Sequence, residues 1–294
     1  MMKYPSALFV PCTIDGYDKH TGSALIRARW VAKYWPGALV FDGRQPRTGW
    51  DIVIFQKAYQ TSPMRRLLSR FLEARSTGEG PLLALDLCDP DFLNATQRRA
   101  LLDVLPYFDF AVAPTQPLAD WLGQWLPAYV VPDTFDPEVL TQYRGFDWKG
   151  RPHLVWIGYH SNRTALSDVI LDTVGRHALH LDIIDLDRPM PFDEWLNVVT
   201  QYDVLLNPRP DWGRFRYKSN NKSVIAWASG VAVAESAADV ESLANPEWHL
   251  EWITLRLREL RLGQYHAPYA VAAWQDVLCT YKEFNDAHFG SESS

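Results

Sequence analysis

Residues 202–234, YDVLLNPRPDWGRFRYKSNNKSVIAWASGVAVA, decide the architecture. A short apolar run, DVLLNP (203–208), leads into a polar loop, and an apolar helical segment follows. Gly230 closes that segment, and VAVAE (231–235) resumes a strand-like pattern. Strand, helix and strand in this order build a parallel sheet. The loop and helix start carry Arg209, Arg214, Arg216, Lys218 and Lys222 against one acid, Asp211, although the chain as a whole has a formal charge of -6. The free N–H groups and positive dipole end of a helix N-terminus favour phosphate, and nearby Lys and Arg add charge-assisted hydrogen bonds. The same residues also fit a solvated basic loop in which Ser219 or Asn220 caps the helix.

Outward from this stretch the alternation continues. On its N-terminal side, HLVWIG (153–158) and LHLDIID (179–185) read as strands, and RTALSDVILDTV (163–174) and PFDEWLNVVTQ (191–201) as helices. Earlier, ALFVP (7–11), ALVF (38–41), DIVIF (51–55), LLALDL (82–87), FAVAP (110–114) and AYVVP (128–132) are short apolar runs of strand length. Helical patterns at 22–35, 62–74, 95–105 and 116–126 separate most of them. The turn-rich segment 133–152 interrupts the pattern before it restarts. The expectation is an α/β chain of two Rossmann-like domains with a cleft between them. We assign 1–136 to the first, 137–152 to a linker and 153–266 to the second. A final amphipathic segment (267–294) is placed to cross back to the first domain. Ligands of such sheets bind beyond the carboxyl ends of the strands. The residues to watch are therefore 12–23, Lys57, Cys88, Asp89, Asp133, 158–163 and 208–222.

Several chemistries lack their signatures. The chain has no GxxxxGK[ST] or GxGxxG after a strand, no HExxH and no GxSxG, and its eight histidines show no metal-site spacing. Cys12, Cys88 and Cys279 are far apart, which points to reduced thiols in a cytoplasmic protein. MMKYPSALFVPC does not read as a signal peptide, and no run approaches the ~20 apolar residues of a membrane span. The net acidity argues against a general nucleic-acid binder, although local basic loops remain. Loops after strands supply acid–base candidates, Asp18 and His20 after the first strand and Asp89 after LLALDL; Asp86, within that strand, reads as structural. Each has a plainer reading as a turn or loop residue. The helix MRRLLSRFLEAR (64–75) is basic and amphipathic, which suits either a core helix with a solvated basic face or peripheral contact with an anionic membrane.

Residues 202–234 resemble the donor-binding region of GT-B fold glycosyltransferases. In that family a strand ends in a proline-containing loop, a K-x-x-N-K type segment opens a helix, and A-x-G-x-P-V-V closes it. Here the closing residues are AWASGVAV, with Ala232 at the usual proline. WIGYHSNR (156–163) resembles the turn after the first strand of the donor half, VVPDTFD (130–136) the segment leading into the linker, and GSALIRARWVAKYW (22–35) the first helix of the acceptor half. The resemblance implies a metal-independent transferase that takes a nucleotide-diphosphate sugar as co-substrate, with no other cofactor. The donor diphosphate would lie among Gly22, Ser23, Gly158, Asn162, Arg163, Arg216, Lys218, Ser219, Asn221 and Lys222, with Asp89, His20 or Asp18 as base. DLD (185–187) has the letters of a metal motif but reads as a strand end. The implied acceptor is a glycan, a lipid-linked sugar or a hydroxymethylated DNA base. One departure stands out: two glutamates of many retaining members correspond to Tyr217 and Ile225. Their loss is also what a catalytically degenerate binding protein on the same scaffold would show.

Overall fold

The computed structural model describes residues 4–12, 22–44, 49–57, 59–78, 80–138, 150–188, 190–243 and 265–289. The short apolar runs become two parallel sheets. The first holds β1 (Ala7–Val10), β2 (Ala38–Val40), β3 (Ile52–Gln56), β4 (Leu82–Asp86), β5 (Phe110–Ala113) and β6 (Ala128–Val130), in the order β2-β1-β3-β4-β5-β6. The second holds β7 (His153–Tyr159), β8 (His180–Leu186), β9 (Val204–Leu206) and β10 (Ala232–Ala234), in the order β10-β9-β7-β8. Read from β8, the second sheet repeats the first four positions of the first sheet: second strand, first, third, fourth. Each sheet therefore reverses its winding direction at its first strand, which opens a crevice at the carboxyl ends of β1 and β3 and of β7 and β9.

Strands β1, β3 and β5 are buried at every residue because helices cover both faces of the first sheet. On one face lie α2 (Ser62–Ser76), α3 (Ala95–Val104) and α4 (Gln116–Leu122). Thr61 and Asn94 cap the first two of these by accepting from Met64 N–H and Gln97 N–H. The apolar face of α2 (Met64, Leu67, Leu68 and Phe71) is spent on this core, so Arg65, Arg66 and Arg70 are what it offers to solvent.

The other face is covered by α1, a continuous helix over 22–34 with one π-helical turn at Leu25–Arg29, and by α9 (Ala267–Phe289). Trp274 of α9 sits against Phe9, Trp35 and Phe110 at ring-centroid distances of 6.3, 6.3 and 6.4 Å. The chain returns to this face beside its exit from it: Phe135 N–H donates to Tyr265 O and Ala267 N–H to Phe135 O. Helix α1 also serves the second core, where Ile26 and Trp30 join the apolar side chains around β7 and β9. Trp30 meets Phe192 edge-on at 5.0 Å.

In the second half α5 (Asp168–Arg176), α6 (Phe192–Val199), α7 (Asn221–Ala228) and α8 (Ala237–Leu243) complete the packing. Two spans differ from expectation. Residues His160–Ala165 form 3-10 turns and α5 starts only at Asp168; Ser161, Asn162 and Thr164 are weak α-helix formers. Helix α4 stops at Leu122, one residue before Gly123, instead of running to 126. No described helix is long and apolar enough to cross a membrane. The three cysteines are free thiols.

Candidate functional site

The crevices of both sheets open into one cleft with two adjoining recesses of about 200 and 440 Å³. Ser23, Asp89, Gly158, Tyr159, Asn221 and Lys222 line both recesses. The smaller is polar, with Arg27, Asp133, Asn162, Lys218 and Ser219 in its walls. The larger has an apolar wall of Leu186, Met190, Phe192, Trp195 and Ile225. Trp195 is buried, and among the described residues its Nε1–H has no acceptor.

Helix α7 starts at the cleft. Neither residue expected to cap it does so: Asn220 makes no capping bond, and the Ser219 hydroxyl donates instead to Asp133 Oδ2 across the cleft. Lys222 is tucked under the helix start, with its Nζ donating to Ile157 O at 2.9 Å. Burial, and secondarily the charge of Lys218, push its pKa down to about 8. No carboxylate pairs with it among the described residues. Lys218 donates to Asn162 Oδ1 at 3.5 Å. Burial lowers its pKa as well, against the opposing pull of Asp89.

The facing wall comes from the first sheet. Lys57 follows β3 with a φ of 52°, a left-handed conformation that costs a residue with a Cβ ~1–2 kcal/mol. This turn aims its ammonium at Asp89 Oδ2, 2.6 Å away, and at Asp91 Oδ2, 3.4 Å away. Burial would push the Asp89 carboxyl up, but Lys57, and more weakly Lys218, outweigh it and hold the group below the ordinary carboxylate range. Asp89 is thus a ready acceptor of hydrogen bonds and a weak base.

Arg27 lies behind this wall, 3% exposed. Its Nε donates to both oxygens of Asp86, at 3.1 and 3.0 Å, and its Nη1 to Asp133 Oδ1 at 3.0 Å. Burial would lower its pKa, but Asp86 and Asp133 raise it above the ordinary value. Asp86 is structural, as its place within the strand suggested. Because Asp133 also accepts from Ser219, the network runs from α1 to the start of α7.

Of the sequence-predicted residues, Ser23, Asp89, Gly158, Asn162, Lys218, Ser219, Asn221 and Lys222 line the cleft, with Gly22 at the rim of the larger recess. Arg163 is not among them; its Nη1 pairs with Asp185 Oδ2 at 3.1 Å, which occupies the first acid of the DLD letters. Arg216 stacks its guanidinium over the Tyr217 ring, 5.5 Å from its centre. Asp18 and His20 lie outside the described residues. Gly158 answers to Trp156: a Cβ there would come within 2.8 Å of the indole.

The two positions where glutamates were expected do other work. Ile225 is buried and faces the apolar recess. Tyr217 packs edge-on against Phe92 at 5.1 Å, and its carbonyl accepts from Thr115 Oγ1, so it ties the cationic loop to the first half. Sequence reading missed Arg27 and the apolar wall. Arg27 shares the 22–34 helix with Arg29 and Lys33, so only its place one turn after Ser23 could have singled it out. The wall is assembled from β8, α6 and α7 only in the fold. No family model matches the chain, and no curated protein matches it either; the functional reading rests on the chemistry of this cleft.

Proposed function

We propose that the protein is a nucleotide-sugar-dependent glycosyltransferase of the GT-B type, which moves a sugar to an acceptor hydroxyl. The observation that carries this reading is Lys222. A partly buried ammonium with a carbonyl for its partner and a depressed pKa is costly, and an anionic ligand relieves that cost. Lys218 beside it suits a diphosphate, as does the start of α7, which Asn220 leaves uncapped, though Lys222 N–H there is taken by Asn221 Oδ1. The adjoining apolar recess suits the flat or ring-shaped remainder of a nucleotide sugar. The parallel sheets facing each other across the cleft, and the resemblance of residues 202–234 to donor-binding segments, support the same assignment. Lys218 and Lys222 then stabilise the leaving diphosphate, the role a metal ion fills in other transferases. Asp89, on the opposite wall, is the described base candidate. The acceptor is a glycan, a lipid-linked sugar or a modified base in DNA.

The test is a thermal-shift screen with UDP, GDP, ADP, TDP and CDP sugars. One donor should raise the melting temperature of the wild type and raise that of Lys222→Ala clearly less. No shift with any donor would sink the proposal. A second reading, a binding protein that has lost turnover, draws on the Lys57–Asp89 pair, which weakens the base, and on Tyr217 and Ile225 at the glutamate positions. Slow release of nucleoside diphosphate from the bound donor, abolished in Lys222→Ala, would decide for the enzyme.

A further inference from the structure

At the opposite end of the second sheet from the cleft, three metal-binding side chains meet. His153 opens β7 and His180 opens β8, and the parallel register pairs these two residues directly. Asp182, two residues on, projects from the same face of β8. The imidazole centroids are 4.3 Å apart. Asp182 Oδ2 lies 3.2 Å from His153 Nε2, and Asp182 Oδ1 lies 3.1 Å from His180 Nε2. The donor atoms all fall within 4.8 Å of one another. Tetrahedral ligands at zinc distances of ~2.05 Å stand about 3.3 Å apart; each histidine already meets one carboxylate oxygen at that spacing, and drawing one donor from each residue onto an ion asks for a closing of up to ~1.5 Å.

Two further features suit a metal better than a simple ion pair. His153 Nε2 is shielded from solvent and makes no hydrogen bond, despite its closeness to Asp182. Tyr202 donates its hydroxyl to Asp182 Oδ2 at 2.9 Å, the kind of outer partner that orients a ligating carboxylate. The strand start itself is fixed, because Asp203 Oδ2 accepts from His153 N–H at 2.7 Å.

We propose that His153, His180 and Asp182 form a divalent transition-metal site of the zinc class, with water in the fourth position. The imidazole and carboxylate donors select zinc, cobalt or nickel over calcium or magnesium. Seven residues of β7, at ~3.3 Å each, separate the site from the cleft by roughly 20 Å. The ion would clip the edge strand β8 to β7. It takes no part in the transfer reaction. Sequence spacing conceals the site, because only strand register brings residues 153 and 180 together.

The test uses the full chain, stripped with chelator and then titrated with Zn²⁺ by calorimetry and with Co²⁺ by visible absorption. The wild type should bind one ion per chain, give the intense d–d bands of four-coordinate cobalt, and melt at a higher temperature when zinc is present. His180→Ala and Asp182→Asn should each weaken Zn²⁺ binding by roughly tenfold or more, with Tyr202→Phe a smaller loss in the same direction. Both main variants alter partly exposed side chains, and their far-UV circular dichroism in chelator identifies any that fails to fold; the other then decides. Absence of a Zn²⁺ isotherm in the wild type, or unchanged binding in a folded variant, would overturn the proposal.

Discussion

Lys222 is the residue whose physics is most exposed to test. Its folded pKa of about 8 lies below the ordinary lysine value of 10.5, so the folded state must carry a partly desolvated charge at neutral pH. The unfolded chain holds the proton more tightly, and stability from this group therefore rises as pH climbs from about 8 towards 10.5. Replacing it with methionine should stabilise the ligand-free protein at pH 7 by about 1–3 kcal/mol, read from urea denaturation. The same variant should lose roughly 10- to 100-fold in nucleoside-diphosphate affinity, the worth of a charge-assisted hydrogen bond. In the wild type that affinity should hold below pH 8 and fall about tenfold per unit above it, with proton uptake on binding visible by calorimetry in two buffers. Affinity that rises above pH 8 would show that the ligand does not need the ammonium. Lys57 acts oppositely. In Lys57→Met the Asp89 carboxyl loses the main partner that lowers it, and it should titrate higher than in the wild type by ¹³C NMR. Lys218 and Lys222 could be placed at the cleft from the sequence because they stand at a helix start after a strand, although the same pattern fitted a solvated basic loop equally well. Lys57 had position alone: its left-handed backbone and its aim at Asp89 depend on β4 lying beside β3.

Among the elements, α1 carries the most. Its Ile26 and Trp30 belong to the second core, while Ala28, Val31 and Ala32 belong to the first. One helix serving two cores needs a second apolar face, and the π turn at Leu25–Arg29 shifts the side-chain phase where Arg27 enters between them. Arg27→Met removes the partner of Asp86 and one partner of Asp133, both nearly fully buried. The expected loss is about 3–5 kcal/mol by chemical denaturation, larger than for an exposed ion pair, because Asp86 is left buried without its partner and Asp133 keeps only Ser219. A loss under ~1 kcal/mol, the scale of surface pairs, would mean that water reaches them. The strands were legible because buried parallel strands are short, continuous apolar runs. Helix boundaries were less so, since the polar segment 160–165 follows β7 without a break in pattern. The pairing of β8 with β7 was invisible: no local pattern states which strand lies at an edge, and the His153–His180 juxtaposition depends on it.

For the whole molecule, the question is whether the halves fold as one unit. The chain passes from the first sheet to the second and returns, sealing the first sheet's face with α9. Trp274 is almost wholly buried there, among Phe9, Trp35 and Phe110, and it lines neither recess of the cleft. Trp274→Ala should therefore cost roughly 3–5 kcal/mol, the scale for deleting a buried aromatic side chain. Nucleoside-diphosphate affinity at 25 °C should be unchanged in this variant, because the cations and the start of α7 stand on the other sheet. The loss falls on one half, yet α1 shares its apolar faces between both cores, and Tyr217 and Ser219 of the second half bond to Thr115 and Asp133 of the first. Melting of the first half would strip the second of Ile26, Trp30 and these contacts. The variant should accordingly still unfold in a single step, with coincident transitions by circular dichroism and tryptophan fluorescence at a lower midpoint. Two separated transitions, with the second half retaining its ligand-induced stabilisation after the first has melted, would show that α1 and the cleft contacts do not couple the halves.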